Sequence, residues 1–310
     1  MREPYGALLL IAYGGPHGLA DVRPYLANVL RGRRVPQARV DEVAHHYELF
    51  GGRSPLTDLT RRQAAALEAE LRRRGHGLSA HVGMRNWTPY LAEALAEMTS
   101  RGVRRAVGVI MAPQQSYSSW EQYQENVEEA RRQIGPDAPE VDYIAPWFDR
   151  PGFVEAQADR LADALAEVPP ARRASAAVVF TAHSIPVSMA EASPYAEQVS
   201  ASSRLVARRL GRERWSVAYQ SRSGDPADPW LSPDVRDVIR EAAARGAEDV
   251  VTVPIGFVSD HVEVLYDLDT EARAAVCDAG LKFYRAGTVL DHPAFIGMLG
   301  DQVEALTGRG

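Results

Sequence analysis

The sequence predicts an α/β fold of two similar lobes, each with a four-stranded parallel sheet flanked by helices. Three observations lead there. Short apolar runs rich in β-branched residues alternate with longer amphipathic stretches, the pattern of strands joined by crossover helices. Four strand-and-helix units in the first half are followed by four more in the second. The length, 310 residues, suits two domains of ~150 residues each.

In chain order, the first lobe opens with a strand at Ala7–Ala12, an unbroken apolar run, followed by helical stretches at 19–30 and 58–74. A strand at Ser79–Gly83, a helix at 89–101, a strand at Arg105–Met111, a helix at 118–133 and a strand at Val141–Ala145 complete it. The segment Pro146–Pro170 becomes helical near 152 and is stopped by Val168-Pro169-Pro170, so it joins the lobes and sets the domains at 1–150 and 151–310. The second lobe repeats the plan with strands at Ala176–Thr181, Ser216–Tyr219, Asp249–Pro254 and Lys282–Tyr284. Its helices fall at 193–210, 233–245, 262–276 and 292–306. No residue-level repeat relates the halves.

Composition removes several classes of function. Asp and Glu number 41 against 35 Lys and Arg, a net charge of −6, which argues against a nucleic-acid partner held by a basic surface. Cys277 is the single cysteine, so neither an internal disulfide nor a Cys-ligated zinc or iron–sulfur cluster can form. Lys282 is the single lysine and sits in Gly280-Leu281-Lys282-Phe283, which excludes a GxxxxGK[ST] phosphate loop and leaves a Schiff-base enzyme only that position. No run approaches the ~18 apolar residues of a membrane span, and a signal-peptide pattern is missing. A cytoplasmic protein without membrane insertion is expected.

Open α/β sheets bind ligands beyond the carboxyl ends of their strands. That rule selects Tyr13–Pro16, Pro113–Gln115, Thr181–Ser184, Gln220–Ser223 and Pro254–His261, loops that would line one cleft between facing lobes. His183 follows its strand directly, where an imidazole can take a proton near neutral pH, ligate a metal, or simply be satisfied by loop backbone. Glu263, Asp267 and Glu271 are spaced i, i+4, i+8, a ridge that drifts by about 40° per step on an α-helix and less on an under-wound one. Like charges on one ridge repel. They read either as oxygen ligands for a divalent cation or, at the first turn, as a capping box of Asp260 and Glu263 suited to the helix dipole. The second reading leaves Asp267 and Glu271 unexplained.

Weaker signals complete the survey. Arg31-Gly32-Arg33-Arg34 ends the first helix, either to receive an anion through guanidinium forks or to complement the helix terminus. His45 and His46 are adjacent and would project to different sides of a helix. Trp230 in Asp228-Pro229-Trp230-Leu231 is core or ligand wall.

Several segments together resemble ferrochelatase motifs, in the family's order and over nearly the whole chain. They are Ala12-Tyr13-Gly14-Gly15-Pro16, Arg31-Gly32-Arg33, Gly51-Gly52-Arg53-Ser54-Pro55-Leu56, Ala182-His183-Ser184-Ile185-Pro186, Tyr219-Gln220-Ser221, Asp228–Leu231 and Pro254–Asp267. The resemblance implies Rossmann-like lobes of the class II chelatase kind and insertion of ferrous iron, as substrate, into a porphyrin, with no organic cofactor. By the family's pattern, His183 and Glu263 are the catalytic pair, ligating iron or accepting pyrrole protons, and Asp267 and Glu271 extend an outer acidic track. Tyr13 would meet the metal from the other face as a phenolate-type ligand. Ser54 and Tyr123 match propionate-binding positions, with Arg31 and Tyr47 as further substrate contacts.

The short, polar stretch Arg33–Tyr47, where membrane-associated relatives carry a longer apolar lip, favours coproporphyrin III over protoporphyrin IX. Leu30 and His46 stand where soluble relatives often carry arginine, so Arg34 would compensate. The alternatives are a protoporphyrin IX enzyme, a chelatase for another metal or tetrapyrrole, and a non-catalytic porphyrin or haem carrier. Partners beyond substrate reduce to transient contact with other haem-pathway enzymes.

Overall fold

A computed structural model of the chain describes residues 3–32, 35–223 and 228–308. Arg33 and Arg34 of the basic cluster therefore lie outside the described residues. The chain divides into two compact units: Met1–Ala112 with Tyr117–Pro146 and Leu290–Gly310, and Pro113–Ser116 with Trp147–Val289.

The first unit holds β1 (Ala7–Ala12), α1 (Leu19–Val29), α2 (Gln37–Leu49), α3 (Leu56–Arg73), β2 (Ser79–Met84), α4 (Leu91–Ser100) and β3 (Arg105–Ile110). A π-helical turn (Tyr117–Glu121) then runs into α5 (Gln122–Ile134), and β4 (Glu140–Tyr143) closes the sheet. The four strands are parallel in the order β2-β1-β3-β4. Every residue of β1 and β3 is buried, whereas edge strand β4 begins exposed at Glu140. A central parallel strand is covered by helices on both faces, which is why ALLLIA carries no polar residue. Leu9 and Ile11 pack on Leu91, Leu95 and Met98 of α4 and on Tyr123 and Val127 of α5.

The second unit holds α6 (Pro151–Glu167), α7 (Pro170–Arg173), β5 (Ala177–His183), α8 (Val187–Glu191), α9 (Tyr195–Arg209), β6 (Trp215–Gln220), α10 (Val235–Ala244) and β7 (Asp249–Val253). One turn, α11 (Val262–Val264), continues as a π-helical stretch (Leu265–Ala272) and returns to α-helix in α12 (Arg273–Asp278), before β8 (Lys282–Arg285). The sheet repeats the first topology, parallel in the order β6-β5-β7-β8. Pro151 at the first turn starts α6 with its φ preset and no amide hydrogen to leave unpaired.

Three differences from the sequence reading have physical causes. Helix α2 falls outside the predicted plan, because of its residues only Ala44 is buried and the apolar period is faint. The stretch read as one helix at 262–276 changes winding twice. Val264, Leu268, Ala272 and Val276 are all fully buried in one core cluster. A strict four-residue apolar period cannot stay on one face of an α-helix, since it drifts by about 40° per step; under-winding brings it back into line.

The last helix, α13 (Pro293–Thr307), belongs to the first unit, not to the second lobe as a boundary at 150 implies. Arg74, at the end of α3, holds it: Nη1 lies 2.7 Å from Asp301 and 2.8 Å from Glu304, and Nη2 donates to the Gly297 carbonyl at 3.0 Å. A Cβ at Gly300 would stand 3.0 Å from that guanidinium carbon. The chain thus returns to its first sheet after completing the second.

Candidate functional site

In the second unit the chain leaves β5 for β6 on one side and then crosses to β7 on the other. The crevice beyond the carboxyl ends of β5 and β7 is therefore its topological switch point, where open α/β sheets place ligands. His183 ends β5, Gln220 ends β6 in register with it, and residues 254–263 follow β7. Gly256 lets that last segment lie against β5. Its amide donates to the Thr181 carbonyl at 3.1 Å, and a Cβ there would sit 2.9 Å from the Ala182 Cβ.

His183 Nε2 lies 3.2 Å from Glu263 Oε1, with the side chains 34% and 38% exposed. The ring's Nδ1 donates to the Ser184 carbonyl, and Tyr195 Oη donates to the carbonyl of His183 itself at 2.9 Å. Both ring nitrogens face acceptor oxygens, so the imidazole is doubly protonated. Burial opposes that charge, but the Glu263 carboxylate, the Ser184 carbonyl and Asp267 outweigh it and raise the pKa to about 9. For Glu263, burial pushes upward, and the charge and hydrogen bond of His183, with smaller help from His261 and Ser221, hold it well below the usual carboxylate range.

His261 meets the other oxygen, its Nε2 at 3.6 Å from Glu263 Oε2. Its Nδ1 accepts from the Val264 amide at 3.3 Å, so His261, and not Asp260, caps the helix. The capping box read from Asp260 and Glu263 does not form, because Asp260 is drawn to Arg285 at 3.0 Å. Burial, with the neighbouring His183, lowers the His261 pKa despite Glu263, leaving a neutral ring beside a charged one.

Asp267 accepts from Gln220 Nε2 at 3.3 Å and from the Ser221 hydroxyl. Ser221 aims that hydroxyl from a left-handed backbone, φ 61°, which costs a non-glycine residue about 1–3 kcal/mol. Burial, then the Glu263 charge and more weakly Glu271, raise Asp267 to about 7, against the Ser221 hydroxyl. Glu271 turns to Arg236 and Arg240, with which it lines a groove. Among the described residues no three or more His, Cys, Asp or Glu side chains gather to hold a metal ion. The four candidate metal donors are thus strung in series along one strand end and one helix.

In the first unit, Tyr13 leaves β1 at that sheet's switch point. Its carbonyl accepts from both the amide and the side chain of Asn86, the latter at 3.1 Å, and its ring lies 5.9 Å from the Arg85 guanidinium. The same guanidinium is 5.8 Å from the ring of Tyr123. Tyr123 is buried, which pushes its phenol pKa up although Arg85 pulls the other way. Ser54 is buried against Gly15, where a Cβ would fall 2.4 Å from its own, and its amide donates to the Pro16 carbonyl at 2.9 Å. Tyr47 stacks edge-on to Tyr25 at 5.5 Å, and both pack with Tyr13 in one cluster. Arg31 is exposed and donates to Asn28 at 2.8 Å. His45, 65% exposed, pairs with Glu48 and takes no part.

The Ferrochelatase family model matches residues 5–306. The chain belongs to the ferrochelatase family. It is 44% identical over 307 residues to the ferrochelatase of Rhodopirellula baltica, covering 99% of this chain and 87% of that one. The coproporphyrin III ferrochelatases of Mycolicibacterium smegmatis and Frankia alni are 42% and 46% identical, with 97% of this chain and 90% and 81% of theirs covered. Among solved structures, the sirohydrochlorin chelatase SirB of Bacillus subtilis with cobalt superposes at a TM-score of 0.57 and 12% identity, covering 98% and 96%. That likeness is one of fold.

The ferrochelatase-family chain holds four residues at these sites to which the sequence reading gave no role: His261, Ser221, Gly256 and Arg85. His261 carried a faint signal, two residues ahead of Glu263 where the helix has not begun. Ser221 and Gly256 fall in loops that the strand-end rule selects and Arg85 in none, but their roles rest on a positive φ, a missing Cβ and a cation shared by two rings, which exist only once the strands are assembled.

Proposed function

We propose that this protein inserts ferrous iron into coproporphyrin III, giving iron coproporphyrin III and two protons. The observation that carries this is the charged His183–Glu263 pair at the switch point of a ferrochelatase-family sheet. Pyrrole N–H groups are weak acids, and a planar macrocycle cannot turn its lone pairs to an arriving ion. Binding it bent between rigid walls moves it part-way to the transition state. Tyr13, Arg31, Tyr47, Ser54 and Tyr123 bind the porphyrin, with Tyr13 offering a phenol oxygen to the metal and the others reaching the propionates.

His183 is already protonated at rest, so the acceptor oxygens belong to the acids. Glu263 receives the ferrous ion, whose charge drives the imidazolium proton out to water and leaves a neutral His183 to take the second pyrrole proton. Asp267, raised to about 7, takes a pyrrole proton and returns it to water near neutral pH, steadied by the Ser221 hydroxyl. Glu271 supplies the outer end of the acidic track. Among the described residues no helix is long and apolar enough to cross a membrane; we place the reaction in the cytoplasm, with product passed on by transient contact.

The test is anaerobic metallation by the purified protein, followed by loss of porphyrin fluorescence with ferrous iron and either coproporphyrin III or protoporphyrin IX. Rapid loss with coproporphyrin III alone is the expected result. Preference for protoporphyrin IX overturns the substrate, and binding of both without turnover makes the protein a carrier.

A further inference from the structure

Two carboxylates of the acidic segment are bound by arginine and make no contact with the His183–Glu263 pair. Asp260 precedes the helix and Asp269 lies in its π-helical stretch, and one side chain holds both. Arg285, the last residue of β8, places Nη1 3.0 Å from Asp260 Oδ1 and Nε 2.9 Å from Asp269 Oδ1, with the three side chains only 16%, 22% and 28% exposed. Arg273 adds a bond from Nε to the Asp269 carbonyl at 3.1 Å and lies over the Phe283 ring, 4.6 Å from its centroid. A guanidinium presents donors on separate edges in a fixed plane, so one arginine can bridge two acids nine residues apart with each contact held in direction.

The division of charge is the telling feature. Residues 260–271 contain five acids: Asp260, Glu263, Asp267, Asp269 and Glu271. Arginine neutralises Asp260 and Asp269. Among the described residues, Glu263 meets the His183 and His261 imidazoles and no arginine in the contacts within 4 Å, and Asp267 meets a serine and a glutamine. The back of the segment is tied down by arginine, while its front is left to imidazoles and neutral hydrogen-bond donors. A π-helical stretch is uncommon and would relax toward α-helix if nothing held it, turning Glu263 and Asp267 about 40° out of line.

We infer that Arg285 is a positioning residue for iron transfer: by tying Asp260 to Asp269 it holds the under-wound segment in the winding that aims Glu263 at His183 and Asp267 at Ser221. This rests on the function proposed above. Nothing in it requires Arg285 to touch iron or porphyrin.

The test compares Arg285→Met, Arg285→Lys and Asp269→Asn with the parent protein in anaerobic metallation at varied ferrous iron, and separately in titration with cobalt(II) alone. Arg285→Met should raise the KM for iron by about 10–100-fold and weaken cobalt binding similarly, as loss of a supporting contact behind a ligand does, with the KM for coproporphyrin III unchanged within about twofold. Arg285→Lys, which keeps one contact, should recover part of that loss. If Arg285→Met lowers the melting temperature while the iron KM and cobalt affinity stay at parental values, the residue merely stabilises the fold and the inference is overturned. Should Arg285→Met fail to fold, Asp269→Asn, which leaves the Asp260 pair in place, must raise the iron KM for the inference to stand. A parent that inserts no iron but whose cobalt affinity still depends on Arg285 overturns the function and keeps the inference; a parent that does neither overturns both.

Discussion

The charged pair makes a direct prediction. Glu263→Gln keeps the side-chain volume and removes the charge 3.2 Å from His183 Nε2. Burial, the largest influence on that imidazole, then faces only the Ser184 carbonyl and Asp267, so its midpoint falls from about 9 toward the ordinary 6.5. The full interval is 2.5 pH units, about 300-fold in proton affinity. With the side chains 34% and 38% exposed, water screens part of the interaction, and a fall of at least about 1 unit is expected. Long-range nitrogen–proton spectra of the imidazole between pH 5 and pH 10 would read it directly.

The same shift predicts how stability changes with pH. A histidine whose folded pKa lies above its unfolded 6.5 contributes stability that is complete below 6.5 and is lost as pH rises through about 9. Urea midpoints should therefore fall between pH 6 and pH 9.5 in the parent protein, and fall less in Glu263→Gln. Titration of His183 near 6.5 in both proteins would refute the pair.

Three further outcomes follow from single contacts. Gly256→Ala drives a methyl to within 2.9 Å of Ala182 and should cost about 1–3 kcal/mol in urea unfolding, while lifting the loop that carries Glu263 and reducing turnover; parental stability would show that the approach is looser than described. Ser221→Ala removes a donor to Asp267 and should move that carboxyl's midpoint further up, seen in its ¹³C titration, and a downward movement would contradict the assignment. Arg74→Leu leaves Glu70 and Glu304 without their shared cation and should cost about 3 kcal/mol, with early hydrogen exchange confined to α13; uniform exchange would mean that the helix is held by other contacts.

The sequence by itself determined the strand and helix plan. Unbroken apolar runs such as Ala7–Ala12 can satisfy their side chains only in the covered middle of a parallel sheet, so β1, β3, β5 and β7 were legible one by one. It also singled out His183, Glu263, Asp267 and Glu271, because strand-end position and helical spacing are local properties. Tertiary structure decided the rest. Which nitrogens of His183 hold protons depends on Ser184 and on a carboxylate eighty residues away. That His261 caps the helix follows from where Arg285 draws Asp260. The return of α13 to the first unit depends on Arg74, more than two hundred residues earlier. Charge, protonation and winding at this site are set by neighbours distant in sequence, and no local pattern encodes them.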